Sequence, residues 1–234
     1  MGELGEFFSQ YWVRIIIAVL AAYLMSSVNT SIIVTKIVMH KDIRTMGSGN
    51  AGFTNVLRCV GKVPAIITFV GDFLKGVISV AIAYFLMWGE SGLYQSYLMC
   101  TAGFFAVVGH TMPVYYKFKG GKGVVTTASV MLMTDWRVLI FALLIFVIVF
   151  TATKIISVCA LVNASAYPII VLVLRLLDHN GILGAVTPLR NPSMSFVWYS
   201  AFLALLTGVL VIVRHKDNIK RLLRGEEKKI TAKK

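Results

Sequence analysis

The sequence predicts an all-α, polytopic integral membrane protein with about seven transmembrane helices, its N-terminus outside and its C-terminus in the cytoplasm. Three observations carry this: 58% hydrophobic and only 14% charged residues, a mean hydropathy of +0.81, and basic residues gathered in alternate connectors. A soluble core does not need so much apolar sequence, and a helix crosses the hydrocarbon with roughly 20 residues at about 1.5 Å each. A net charge of +13 would point to nucleic acid in a soluble protein, but here Lys and Arg occupy short loops and a tail between apolar runs. Membrane lipids and phosphorylated small molecules are then the expected partners, and nucleic acid is not.

Seven apolar stretches follow in order, at residues 11–39, 63–88, 93–108, 124–133, 138–151, 155–177 and 196–213. The first is kept as a span, because residues 1–8 are acidic where a cleavable signal would be basic. Gly2 also lacks the Ser or Thr at position 6 that a myristoylation site needs. The fourth stretch is short and parted from the fifth only by Thr134-Asp135-Trp136-Arg137, read as a tight interfacial turn. A chain of five spans, with the two short segments forming a re-entrant hairpin, is the alternative. Either count is odd and puts the termini on opposite faces.

Eighteen of the 23 Lys and Arg then share one face: those in residues 40–62 and 109–123, Lys36, Lys154, and the tail from Arg214. Arg14, Arg137, Arg175 and Arg190 fall on the other face, and Lys75 lies within a span. The positive-inside rule makes the first face cytoplasmic. The longest outer connector, residues 178–195, carries Gly and Pro turn signals, and no repeat of fixed period is present. Cys59, Cys100 and Cys159 form no CxxC pair and read as small buried side chains rather than a disulfide or zinc set.

Three polar clusters lie on the cytoplasmic face, within residues 40–62, 109–123 and 214–227. In the first, Gly47, Gly49 and Gly52 free the backbone to turn N–H groups toward an anion; Ser48, Asn50, Thr54 and Asn55 add hydrogen bonds, and Arg58 can hold two phosphate oxygens. Ser48 has no His or Asp in its loop to activate it as a nucleophile. The plainer reading of this segment is a turn capping a helix at Asn50 or Thr54.

In the second cluster, Gly109-His110-Thr111-Met112-Pro113 precedes Lys117, Lys119, Gly120, Gly121, Lys122 and Gly123, which set amides and positive charge at the start of a helix. It is not a Walker A loop, since Tyr116 and Gly123 stand where that pattern needs Gly and Ser or Thr. Interfacial anchoring is the plainer reading of the lysines, and a satisfied span-end histidine that of His110. The third cluster places Ile219, Leu222 and Leu223 at helical spacing among cations, as an amphipathic helix on anionic lipid would, but that reading does not require His215, Asn218 or Glu227. Asp72 and Lys75, one turn apart within the second span, read as a functional site by default and as a mutual ion pair otherwise.

Taken in order, these motifs resemble the acyl-phosphate:glycerol-3-phosphate acyltransferases of bacterial membranes, the PlsY family, over the whole chain. The resemblance rests on Ser48-Gly49-Asn50, Gly52, Thr54-Asn55 and Arg58; on Gly109-His110, Pro113 and Phe118-Lys119-Gly120-Gly121-Lys122-Gly123-Val124; and on His215, Asn218-Ile219, Arg221-Leu222, Gly225 and Glu227. The Asp72-x-x-Lys75-Gly76 element is similar to one in the family, while Phe53 and Val125 stand where Ala is usual.

The resemblance implies a single membrane acyltransferase domain over residues 1–234, seated in the bacterial inner membrane with its active site at the cytoplasmic face. It implies acyl transfer from a fatty acyl phosphate to the 1-hydroxyl of sn-glycerol 3-phosphate, giving lysophosphatidate and phosphate, with no metal or organic cofactor. The enzyme that supplies acyl phosphate is a further candidate partner. By the same resemblance Ser48, Arg58, His110, Lys122, His215 and Asn218 serve activity. Gly49, Asn50, Gly52, Thr54, Asn55, Lys119, Gly120, Gly121, Gly123, Asp72 and Lys75 serve substrate binding, and Glu227 is structural. An acyl phosphate is already activated, so direct attack by the hydroxyl, without an acyl-serine, is the expected route. An organophosphate transporter would instead favour polar residues along several spans.

Overall fold

The computed structural model describes residues 2–183, 189 and 191–229, and among these the chain is all-helical, with no strand. Six helical stretches are long and apolar enough to cross a membrane: Glu3–Met39, Lys62–Leu86, Gly92–Tyr116, Trp136–Thr153, Ile156–His179 and Met194–Arg214. The fourth expected span is the helix Val124–Thr134, whose 11 residues reach only about 16 Å at the α-helical rise. The chain is thus a multi-pass membrane protein, with six full-length apolar stretches and the short Val124–Thr134 helix among the described residues. It forms two compact units, Met1–Thr134 and Asp135–Lys234.

The first unit holds α1 (Glu3–Ser27), α2 (Thr30–Met39), α3 (Phe53–Cys59), α4 (Lys62–Leu86), α5 (Gly92–Thr111) and α6 (Val124–Thr134). The first apolar stretch is broken at Val28 and Asn29, because Asn29 turns its Oδ1 to the Ile32 N–H (3.2 Å) and the Ser31 hydroxyl (2.6 Å) and so caps α2. Ile16, Ile17, Leu20 and Leu24 on α1 remain exposed, as they should where the solvent is lipid. The opposite face of α1 is small, with Ala18, Ala22 and Ser26 at four-residue spacing, and it packs on α5. There a Cβ added to Gly109 would meet the carbonyl of Tyr23. Lipid supplies little hydrophobic drive between helices, so such close backbone approach is what holds them together.

The second unit holds α7 (Trp136–Thr153), α8 (Ile156–His179), α9 (Met194–Arg214) and α10 (Lys216–Leu223). Asp135 caps α7 through the Arg137 N–H at 3.1 Å, which is the turn expected at that tetrapeptide. Arg137 is buried between Asp135 (2.7 Å) and Asp178 (2.6 Å), and Arg175 lies 3.4 Å from both carboxylates. A buried charge persists only when paired and hydrogen-bonded, and this quartet meets that condition. Arg14 likewise pairs with Glu90 at 2.9 Å in the first unit. Three of the four cations assigned to the outer face therefore have carboxylate partners. The fourth, Arg190, lies outside the described residues, as do Gly184, Pro188, Lys233 and Lys234.

Candidate active site

The first polar cluster is organised by one amide. Asn55, on the first turn of α3 and 1% exposed, accepts the Ser48 N–H at 3.0 Å through Oδ1. Its Nδ2 donates to the carbonyls of Met46 (2.9 Å), Asn50 (3.1 Å) and Ile43 (3.2 Å). The loop closes on it only because Gly47 and Gly49 take left-handed φ of 55° and 70°, and a Cβ at Gly47 would strike Asn55 Oδ1. Ser48 and Gly49 are left exposed at the loop tip. Among the described residues none hydrogen-bonds the Ser48 hydroxyl. Helix α3 starts after Gly52 without a side-chain cap, so neither Asn50 nor Thr54 serves the capping role considered for them. Arg58 is exposed in its last turn.

The second cluster folds back on the end of α5. The Gly121 N–H donates to the His110 carbonyl (3.1 Å) and the Gly120 N–H to that of Thr111 (3.3 Å). A Cβ on Gly121 would meet His110 Nε2 and approach the Ala51 carbonyl to 2.7 Å; one on Gly120 would meet the His110 carbonyl and Pro113. Both glycines are thus demanded by close approach, and Gly121 is one point where the first two motifs touch. Gly123, at φ 85°, carries no side chain to cap α6, which leaves a helix N-terminus beside the half-buried Lys122 and the exposed Lys119.

Behind His110 lies a buried charge pair. Lys75 Nζ sits 2.9 Å from Asp72 Oδ1 and donates to the Val28 carbonyl at 3.1 Å, at the break between α1 and α2. Asp72 Oδ1 lies 3.7 Å from His110 Nδ1, and the Asp72 main-chain carbonyl accepts from the Thr126 hydroxyl at 3.1 Å. Asp72 and Lys75 are 1% and 6% exposed, so they back the second motif from inside the helices rather than face its open side.

In the second unit, His215 is buried at the end of α9, and its Nδ1–H donates to the Val211 carbonyl at 2.7 Å. Gly225, at φ 70°, turns the chain so that Glu227 returns onto α10. The Glu227 carboxylate accepts from Asn218 Nδ2 (2.6 Å), Arg221 Nε (2.6 Å) and Ser157 Oγ (2.7 Å). Burial alone would raise its pKa, but these three donors outweigh burial and hold the carboxyl below its ordinary 4.5. A depressed folded-state pKa means the stabilisation is complete above about pH 4.5 and fades as pH falls through the folded value. Glu227→Gln is therefore expected to lower Tm by about 2–6 °C at neutral pH. The gap to the parent should close well below pH 4.5; a gap independent of pH in thermal unfolding would refute this.

Sequence reasoning missed Asp42, Arg44 and Ser157. Arg44 was visible only as one more loop cation, yet it bonds Asp42 with its Nη2 at 2.7 Å and the Tyr116 carbonyl with its Nη1 at 2.9 Å. The guanidinium beside Asp42 holds that carboxyl below the usual carboxylate range, and Asp42 in turn raises the Arg44 pKa.

Comparison with known proteins gives one consistent result. The family model described as glycerol-3-phosphate acyltransferase matches residues 16–225. A glycerol-3-phosphate acyltransferase of Coxiella burnetii (strain CbuG_Q212) is 36% identical over 215 residues, 92% of this chain and 97% of that protein. One of Clostridioides difficile (strain 630) is 39% identical over 222 residues, covering 94% and 97%. Among solved structures, the glycerol 3-phosphate form of PlsY, an integral membrane glycerol 3-phosphate acyltransferase, superposes with a TM-score of 0.75 at 30% identity, over 93% of this chain and 96% of that one. The lysophosphatidic acid form of that enzyme gives 0.71 at 29% identity, over 93% and 95%.

Proposed function

This chain belongs to the glycerol-3-phosphate acyltransferase family, and on that premise we propose that it acylates the 1-hydroxyl of sn-glycerol 3-phosphate with a fatty acyl group taken from acyl phosphate. The products are lysophosphatidate and inorganic phosphate, the first acylation step of phospholipid synthesis. The observation that carries the reading is Gly121, wedged between the His110 ring and the Ala51 carbonyl, which joins the Ser48 loop to the glycine-lysine loop beside the N-terminus of α6.

That arrangement suits two anions. The amides opening α6, with Lys122 and Lys119, offer charge and N–H donors to the phosphate of glycerol 3-phosphate. The Ser48 loop and Arg58 offer the same to the acyl phosphate. The glycerol oxygen attacks the acyl carbonyl carbon, an ester C–O bond forms, and the bond from that carbon to the phosphate oxygen breaks. The departing phosphate takes the hydroxyl proton, so atoms and charge balance without a protein base. Donors aimed at the developing oxyanion and at the leaving phosphate lower the barrier, and holding the two substrates together supplies much of the rest. The bare Ser48 hydroxyl supports an orienting role over a nucleophilic one. His215 and Asn218 are assigned to the reaction, and the whole chain to one acyltransferase domain, on the sequence pattern. The positive-inside bias supports a cytoplasmic active-site face on the bacterial inner membrane, with the enzyme that makes acyl phosphate as the neighbouring supplier.

Purified protein in detergent, given acyl phosphate and labelled glycerol 3-phosphate, should form lysophosphatidate and leave no acyl group on Ser48. Acyl transfer from acyl-CoA alone, or a trapped acyl-Ser48, would overturn the mechanism; flux into vesicles without product would indicate transport. Lys122→Ala should raise KM for glycerol 3-phosphate about tenfold or more, as expected for loss of a cation on a phosphate. An unchanged KM at normal turnover would remove Lys122 from that role.

A further inference from the structure

We infer that Arg44, anchored by Asp42, is a positioning residue that clasps the glycine-lysine loop in its substrate-ready shape. The inference rests on the reading above that this loop holds glycerol 3-phosphate. Lys117 and Phe118 both adopt left-handed φ, 56° and 58°, a conformation that L side chains rarely take even singly. The turn they form lies between the carbonyls of Tyr116 and Lys119, and Arg44 Nη1 donates to both, at 2.9 and 3.4 Å. The guanidinium also lies 5.8 Å from the Tyr116 ring centroid. Its far side is fixed by Asp42, which receives Nε at 3.0 and 3.1 Å and Nη2 at 2.7 Å.

Asp42 is itself seated, because its other backbone-facing bond caps the 3-10 turn Ile43–Thr45 through the Arg44 N–H at 2.9 Å. Ile43 in that turn is fully buried, and its carbonyl receives Asn55, the organiser of the Ser48 loop. The clasp therefore ties the second motif to the same base that holds the first. A guanidinium has five N–H donors, and four of Arg44's are taken by carbonyls and carboxylate. A fork so occupied cannot also grip a phosphate with two parallel bonds, which argues for holding the loop over binding the ligand. Lysine cannot replace it, since a single ammonium does not span two carbonyls and a carboxylate in one plane.

The test uses the full chain in detergent with Arg44→Gln, Arg44→Lys and Asp42→Asn. In ligand-free protein, amide hydrogen exchange across residues 116–121 should rise at least about tenfold in Arg44→Gln and Arg44→Lys, and less in Asp42→Asn. In turnover, Arg44→Gln should raise KM for glycerol 3-phosphate about tenfold while kcat and KM for acyl phosphate stay within about twofold. Arg44→Lys should keep most of that defect despite its charge. Unchanged exchange in Arg44→Gln overturns the clasp, and so do equal rises in both KM values or full rescue by lysine. If the parent protein fails to acylate glycerol 3-phosphate, the functional reading falls, yet the exchange experiment still decides whether Arg44 orders the loop. Should Arg44→Gln not fold, Asp42→Asn, which leaves Arg44 in place but unanchored, carries the same two readouts.

Discussion

Gly121→Ala is expected to cut kcat/KM for glycerol 3-phosphate by about 100-fold or more, because a shift of about 1 Å in a positioned group is enough for a loss of that size. The added Cβ would overlap His110 Nε2 and stand 2.7 Å from the Ala51 carbonyl. Neither neighbour has room to withdraw: His110 is backed by Asp72 at 3.7 Å, and Ala51 is fully buried. One of the two loops must therefore swing away from the other, and the residues assigned to the two phosphates separate with them. The disturbance is confined to a loop and the end of α5, so the variant should still purify as a folded, monodisperse protein. Steady-state rates over a range of glycerol 3-phosphate concentrations, with Tm measured alongside, decide the matter. Activity within about threefold of the parent would mean that the contact at residue 121 does not set the geometry for transfer.

How much of this was legible in the sequence depends on the range of the interaction. Apolar runs and the turn at Asp135 were legible because span length and capping are local properties. The break at Asn29 was not, since Ser26, Ser27, Asn29, Thr30 and Ser31 are small polar residues that a long apolar stretch outweighs in mean hydropathy, and the Lys75 that completes the break is 47 residues from Val28. The short α6 reads as a span by composition alone, although 11 residues cannot reach across. Arg137 and Arg175 were legible as outer-face cations but not as members of a neutral quartet, because Asp178 joins α8 to Arg137 across 41 residues of sequence. Arg44 went unnoticed for the same reason: its partners Tyr116 and Lys119 lie 72 and 75 residues on. The glycine motifs announced phosphate chemistry, while the side chains that hold those motifs in place carried no local signature.

Asn55 gives the sharpest separation between a residue that binds substrate and one that builds the loop. Its amide satisfies three carbonyls and one N–H, all at 3.2 Å or less. Asn55→Ala should strand those groups at a cost of about 1–3 kcal/mol for each that water does not reach, enough to unlock the Ser48 loop. The informative variant is Asn55→Asp, which keeps size and the Oδ1 acceptor but replaces the donating NH2 with an oxygen. At neutral pH that oxygen would face the carbonyls of Met46, Asn50 and Ile43, so repulsion replaces three hydrogen bonds. Asn55→Asp is thus expected to be no more active than Asn55→Ala, with kcat/KM down about 1000-fold in both and faster amide exchange across residues 43–50. A residue serving only to accept the Ser48 N–H would show the opposite order, with aspartate close to the parent. Aspartate activity above about a tenth of the parent, with exchange unchanged, would return Asn55 to the set of direct ligands.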